Sequence, residues 1–212
     1  MNFILIDFLD VVRSGMALAT EKRVNLMGEE LGEATFLTLN YQPFHADIIS
    51  NMYQLNRLHP NVKVLNFYQF YYSNVESMGV EDSSSECGLQ EEGYTYYKDE
   101  RPNANGYRYY DKEGNYAKYK AFDANFNLLF IDYQSNNMQR THRIEYNGGK
   151  KKKREIRYNL ITNKPIFEKY YDQNENCFLS VWINSQGQRT KSILHAESKA
   201  FSTIQEMYIY WL

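Results

Sequence analysis

The chain has 212 residues, of which 43% are hydrophobic and 24% charged, with a formal net charge of -2 and only 4 prolines. That balance excludes a disordered tail, and no apolar run approaches the roughly 18 residues that a membrane-crossing helix needs. With 20 tyrosines, 12 phenylalanines and 2 tryptophans the chain is 16% aromatic, a bias toward β-sheet with half-exposed faces.

The opening MNFILIDFL carries Asp7 and Asp10, has no basic flank and offers no small-residue cleavage site. It therefore reads as a buried strand rather than an export signal, and the cytoplasm is the expected compartment. Residues 3–9 have the near-continuous apolar pattern of a strand covered on both faces in a parallel sheet. Met16, Ala19, Val24, Met27 and Leu31 then recur at roughly helical spacing, predicting an amphipathic helix that ends near Gly32. Residues 34–39 form a second expected strand, residues 45–58 a second helix with Ile48, Ile49, Met52, Leu55 and Leu58 on one face, and residues 62–67 a third strand. The order β-α-β-α-β implies right-handed parallel crossovers, with ligands at the carboxyl ends of the strands.

That rule points to the loop DVVRSGMA after the first strand, where a helix N-terminus presents backbone N–H groups to an anion. The loop holds one glycine, Gly15, and matches neither a dinucleotide fingerprint nor a P-loop. Arg13 could grip a phosphate through its planar fork or simply be solvated at the helix start. Asp7 and Asp10 lie near the strand end, where catalytic groups occur but caps and turn formers are commoner.

Charge is unevenly distributed. Residues 1–80 carry 5 basic against 8 acidic side chains, residues 81–97 none against 5, and residues 98–212 carry 19 against 13, so the segments are -3, -5 and +6. The acidic stretch EDSSSECGLQEEG is expected to be a solvated linker (81–97), with a boundary near residue 80. After it the helical period vanishes, and aromatic or β-branched runs are broken by turn chemistry. One Asp or Asn from each break, namely Asp111, Asp123, Asn147, Asn159, Asp172 and Asn184, gives spacings of 12, 24, 12, 13 and 12 residues. A strand and a turn per unit predicts antiparallel β structure over residues 98–196. The recurrence of Tyr109-Tyr110-Asp111 as Tyr170-Tyr171-Asp172 suggests a weak internal repeat.

The run Lys150, Lys151, Lys152, Lys153, Arg154 follows Asn147-Gly148-Gly149. It reads as a hairpin tip entering an edge strand whose lysines discourage edge pairing, with contact to a polyanion as the alternative. His45, His59, His142 and His195 have no metal or triad spacing, and Cys87 and Cys177, 90 positions apart, match no metal or redox pattern. The tail KAFSTIQEMYIYWL places Phe201, Ile204, Met207, Tyr208, Trp211 and Leu212 at helical spacing and has no cap. It is expected to be a helix (197–212) returning to the first region, in a chain that belongs to a longer protein.

Taken in order, ILIDFLDVVRSGMA, FLTLNYQPFHADIISNM, NVKVLNFYQFY, YYDKEGNY and YYDQNENCFLSVWINSQGQ resemble the N-terminal part of Gram-positive glycosyltransferases of the GT-B class. Members modify poly(glycerol phosphate) or polyribitol phosphate in teichoic acids, and a related branch modifies serine-rich adhesins. The resemblance implies an α/β, partial Rossmann-like domain (1–80) carrying an inserted antiparallel β-sheet domain. It implies retaining transfer of a hexose or N-acetylhexosamine from a UDP-sugar, without a metal or other cofactor. The acceptor would be a polyol-phosphate polymer or a serine-rich protein. By the same resemblance Arg13, Ser14 and Gly15 lie near the donor phosphates, although a serine stands where relatives usually have a second glycine. Catalytic residues are expected downstream of Leu212, which makes these 212 residues alone inert. The sheet domain would serve acceptor binding or self-association into a homo-oligomer, at most peripherally at the inner face of the membrane.

Two other readings compete. A non-enzymatic tyrosine-rich binding module for a polyanion or protein would need no parallel α/β region, and as a wall protein would need an export signal. A nucleic-acid-binding domain would stack bases on the tyrosines beside the basic run, with steep salt dependence; the GT-B resemblance predicts no nucleic acid partner.

Overall fold

A computed structural model describes residues 2–7, 9, 15–74, 87–148 and 150–212. The chain divides into two compact units, residues 1–74 with 211–212, and residues 75–210. The second unit therefore interrupts the first in sequence.

The first unit contains β1 (Phe3–Ile6), α1 (Gly15–Leu31), β2 (Ala34–Thr38), α2 (His45–Gln54), β3 (Val62–Asn66) and α3 (Phe67–Ser73). Its three strands are parallel in the order β1-β2-β3, with Phe3 opposite Thr35 and Ala34 opposite Val62. The central strand is the most buried, as its apolar sequence ATFLT dictates. Val24 from α1, Met52 from α2 and Phe36 and Val62 from the sheet close the core with Leu58. Burying a side chain such as Phe36 contributes about 2–3 kcal/mol. Gly32, at φ +79°, ends α1 in the left-handed conformation that glycine adopts without strain. Between α1 and the loop after α2, Arg57 grips Glu21 through Nε and Nη2. Asn25 joins the same contact, donating to Arg57 O at 2.8 Å and accepting from His59 N at 2.9 Å.

Four elements depart from the sequence reading. The first strand stops at Ile6 instead of running to residue 9, and Phe3 and Leu5 are exposed rather than buried. The second helix stops at Gln54 instead of running to residue 58, because Asn56 turns left-handed at φ +51°. The aromatic run after β3 is a helix that sequence alone did not reveal. Its cap is Asn66, whose side chain accepts from Gln69 N at 3.0 Å. Phe67, Tyr68 and Tyr71 of this helix are buried, and the Trp211 ring packs edge-on against Phe67 and Phe70 at 5.4 and 6.0 Å. Trp211 ends α4 (Ile204–Trp211), which is shorter than the helix expected over 197–212 because Lys199–Phe201 instead pairs as a strand with Ser192–Leu194.

The second unit is a single ten-stranded sheet, antiparallel throughout. It is formed by β4 (Thr95–Lys98), β5 (Gly106–Tyr110), β6 (Tyr116–Phe122), β7 (Leu128–Gln134), β8 (Arg140–Asn147), β9 (Lys151–Tyr158), β10 (Pro165–Tyr171), β11 (Cys177–Ile183), β12 (Arg189–Leu194) and β13 (Lys199–Phe201). Each strand pairs with its neighbours in sequence, so the sheet is a pure meander.

Its register is set by one turn design. Asp111 Oδ1 accepts from Glu113 N at 3.1 Å and Asn115 N at 2.7 Å, while Asp111 N donates to Asn115 O at 3.0 Å. Asp123, Asp172 and Asn184 make the corresponding bonds. The fourth turn residue is left-handed each time, at Gly114, Phe126, Glu175 and Gly187. The 24-residue gap in the sequence spacing hides one more copy. Ser135 accepts from Gln139 N through its hydroxyl at 3.2 Å, and Met138 is left-handed at φ +56°. An acidic or amide side chain satisfying its own turn, followed by a positive φ and a bulge, is the three-residue hairpin connection. Register shifts accordingly fall at the strand ends, between Tyr109 and Tyr110, Ala121 and Phe122, and Tyr133 and Gln134.

Two expectations are corrected here. β9, which carries the basic run, is an interior strand between β8 and β10, so its lysines protect no edge. The described part of the expected linker is not a solvated tether. Glu91 pairs with Lys118 at 2.5 Å and Lys120 at 2.7 Å, and Tyr109 OH donates to Leu89 O at 2.6 Å. The sheet itself begins at Thr95. Lys120 is fully buried, and an unpaired buried ammonium would be costly, so Glu91 and Gly88 O, at 3.0 Å, are the groups that permit it.

Candidate functional site

In the first unit the carboxyl ends of the strands are tied together by side-chain amides. Gln42 accepts from Leu9 N at 3.0 Å and donates to Leu9 O at 2.9 Å. Asn66 donates to Thr38 O, Thr38 Oγ1 and Asn40 O at 3.2, 2.8 and 3.0 Å. Asp7 contributes its backbone, its carbonyl accepting from Asn40 N at 2.7 Å. Beside this frame lies a hollow of about 410 Å³, with Leu9, Met16, Ala17, Phe36 and Met52 on its walls and Asp7, Thr20 and Glu21 as its polar members. Gly15 opens α1, with nothing within 4 Å of where a Cβ would stand. The first turn of α1 holds no acidic residue, so no carboxylate there offsets the positive end of the helix dipole. Asp10, Arg13 and Ser14 lie outside the described residues.

The histidines are dispersed. His45 is buried, His59 Nδ1 accepts from Asn61 N at 3.2 Å, His142 stacks on Tyr133 at 4.2 Å, and His195 Nε2 lies 2.9 Å from Ser180 Oγ. Cys87 and Cys177 are not joined in a disulfide.

The sheet presents a charged and aromatic surface that sequence reading missed, with Asp99, Glu100, Asp111 and Asp132 set among its arginines and lysines. Pairing aligns Tyr97, Arg108, Tyr119, Asp132 and Arg143 in one row across β4 to β8. Arg143 binds Asp132 through two parallel bonds of 2.8 and 2.7 Å, its guanidinium 3.8 Å from the Phe130 ring. Arg101 donates to Asp99 at 2.8 Å, and that hydrogen bond holds the Asp99 carboxyl down at about 2. The Arg101 and Arg108 side chains remain 66% and 45% exposed. Both border two open hollows. One of about 630 Å³ is walled by Tyr116, Tyr119 and Arg143, and one of about 910 Å³ by Tyr97, Lys98 and Lys112. Burial pushes the Tyr116 hydroxyl up to about 12, so it remains a neutral donor at ordinary pH. Guanidinium forks beside tyrosine rings suit phosphate oxygens and the apolar faces of sugars or polyols.

The basic run is less available than its sequence suggests. Lys150 is exposed, but Lys151 Nζ donates to Gln173 O at 2.9 Å and Lys152 Nζ lies 4.6 Å from the Tyr171 ring. Lys153 is half-buried in β9. Arg154 is paired with Glu168 and lies 3.6 Å from Glu145. Burial alone would raise Glu168, yet Arg154 and Arg189 outweigh it and the carboxyl stays below its ordinary value. Arg154 is thus part of the buried structure of the sheet.

No protein-family profile matches the chain, and no characterised protein matches it by sequence. Solved structures do match. A Staphylococcus aureus TarM point mutant in complex with fondaparinux, alpha-GlcNAc-glycerol and UDP superposes with a TM-score of 0.81 at 19% identity, covering 100% of this chain and 42% of TarM. The pneumococcal O-GlcNAc transferase GtfA in complex with UDP and GlcNAc gives 0.65 at 12% identity over 99% of this chain and 40% of that one. The glycosylation-associated Gap123 complex of Streptococcus agalactiae gives 0.62 at 13% identity over 91% and 37%. The chain spans about two fifths of the length of these structures. The resemblance expected from the sequence to teichoic acid and adhesin glycosyltransferases is therefore present in the fold.

Proposed function

We propose that this chain is the N-terminal part of a GT-B glycosyltransferase, moving a hexose or N-acetylhexosamine from a UDP-sugar to a polyol-phosphate polymer with retention. The observation that carries this reading is the pairing of a β1-β2-β3 parallel unit with an interrupting ten-stranded meander, a combination matched over the whole chain by TarM at a TM-score of 0.81. The strand order is that of the first half of a Rossmann-like sheet, whose ligands lie at the strand carboxyl ends. Arg13, Ser14 and Gly15 are assigned to the donor phosphates, with the first N–H groups of α1 as anion donors. The row containing Arg108 and Arg143, with Arg101 beside it, is assigned to the phosphates of the acceptor, and its tyrosines to the polyol. Lys150, Lys151, Lys152 and Lys153 form a second acceptor contact in this reading. Self-association or partner binding is assigned to the sheet unit in this reading; that neighbours are named as complexes, such as GtfA/B, supports a partner. Action is assigned to the inner membrane face in this reading, and the described helices include none long and apolar enough to cross a membrane.

The test is sugar transfer by the protein that carries this chain. Incubated with UDP-glucose or UDP-N-acetylglucosamine and poly(glycerol phosphate) or poly(ribitol phosphate), it should label the polymer. UDP-sugar hydrolysis indifferent to any acceptor, or no turnover of either donor, would contradict the reading.

A further inference from the structure

We propose that Gln42 is a positioning residue for the sugar-donor site, a proposal that rests on the functional reading above. Leu9 is 1% exposed and lies beyond the last β1–β2 pair, Ile6 with Thr38, so its backbone groups need partners that the strand ladder does not supply. Gln42 supplies both. Its Oε1 accepts from Leu9 N at 3.0 Å and its Nε2 donates to Leu9 O at 2.9 Å. One primary amide thereby imitates a neighbouring strand and holds both the N–H and the C=O of Leu9.

The second amide frame shows why Gln42 is separable from folding. Asn66 is 2% exposed, binds Thr38 and Asn40, and caps α3, so its loss would unsettle two strands and a helix. Gln42 is half-buried, and its side-chain amide spans the two polar groups of a single residue. Removing the Gln42 amide should therefore leave the overall fold intact while loosening Leu9 in the wall of the hollow that it shares with Met16 and Ala17 at the start of α1. Donor groups displaced by about 1 Å lose on the order of a hundredfold in rate or binding in preorganised sites, so a half-loosened frame should be costly to the donor.

Two readouts test this. In the 212-residue chain, Gln42→Met, which keeps side-chain length and removes both hydrogen bonds, should speed hydrogen exchange at the Leu9 amide and lower the melting temperature by several degrees while unfolding stays cooperative. In the protein that carries the chain, the same variant should raise KM for the UDP-sugar about tenfold, leaving kcat and the acceptor KM less affected. Gln42→Asn, whose shorter amide cannot span both Leu9 N and Leu9 O, should fall between, and it serves if Gln42→Met fails to fold. Unchanged exchange at Leu9, or an unchanged donor KM in an enzyme whose wild type transfers sugar, would overturn the proposal. A wild type that transfers no sugar overturns the functional reading instead, and the Leu9 exchange result still decides whether the clamp exists.

Discussion

The two units hold their folds by opposite means. In the parallel unit, neighbouring strands are joined through helices, and the ties that set its geometry, such as Glu21 with Arg57 and Gln42 with Leu9, span 36 and 33 residues. In the meander every strand pairs with the next in sequence, and the turns at Asp111, Asp123, Ser135, Asn159, Asp172 and Asn184 carry their own side-chain acceptors. Local closure costs little chain entropy and long-range closure costs more. The sheet should therefore tolerate losses at any one turn, whereas its buried charge clusters should not.

The largest expected effect is at Glu168, whose carboxylate serves Arg154, Arg189 and Tyr170. Glu168→Ala strands a buried guanidinium and should destabilise the sheet by about 3–5 kcal/mol, measured by urea unfolding. Acid tests the same design without mutation. Because Glu168 and Asp99 titrate below their ordinary values when folded, their contribution is complete above the unfolded carboxylate value of about 4. It is lost as pH falls through the folded values, which for Asp99 is about 2. A sheet whose stability stays flat from pH 5 to 2 would break this account.

Next is Gly106, in β5, where a Cβ would meet the Tyr119 side chain and stand 2.9 Å from Lys120 O. Gly106→Ala should cost about 2 kcal/mol through overpacking, read from the same unfolding curves. A turn should matter less: Asp123→Ala removes the acceptor for Asn125 N and Asn127 N and should cost about 1 kcal/mol. Smallest is the converse change at the degenerate copy. Ser135→Asp with Gln139→Asn rebuilds the Asp111 pattern and should gain about 0.5 kcal/mol, detectable as a raised melting temperature. If Asp123→Ala proved as damaging as Glu168→Ala, the contrast between local turns and buried clusters would fail.

The same contrast explains what could be read from the sequence. The second strand and the first helix followed from apolar period, whereas β1, expected to be covered on both faces through residue 9, ends at Ile6 and leaves Phe3 and Leu5 exposed. The meander followed from its turn residues, since Asp, Asn and Gly act within four positions of themselves. Ser135 escaped because its hydroxyl does with one acceptor atom what Asp111 does with two. Helix α3 escaped because FYQFYYS has a strand-forming composition, and only the cap at Asn66 betrays it. The site was less legible than the fold. The basic run drew attention through consecutive lysines, yet pairing within the sheet turns Arg154 into structure and Lys151 and Lys152 onto near neighbours. The arginine and tyrosine row is assembled from residues 11 to 13 positions apart, and register, rather than adjacency in sequence, brings Arg108, Tyr119, Asp132 and Arg143 into line. Gln42 gave no signal, because a glutamine contacting backbone 33 residues away looks like any other loop polar residue.

The most direct test of the account is a titration of the isotopically labelled 212-residue chain with poly(glycerol phosphate), followed residue by residue by NMR at two salt concentrations. The account predicts salt-sensitive shifts centred on Arg101, Arg108, Tyr119 and Arg143, with smaller ones at Lys150–Lys153. Shifts confined to the lysine run, or none anywhere at low salt, would contradict the assignment of the sheet surface to a phosphate-bearing acceptor.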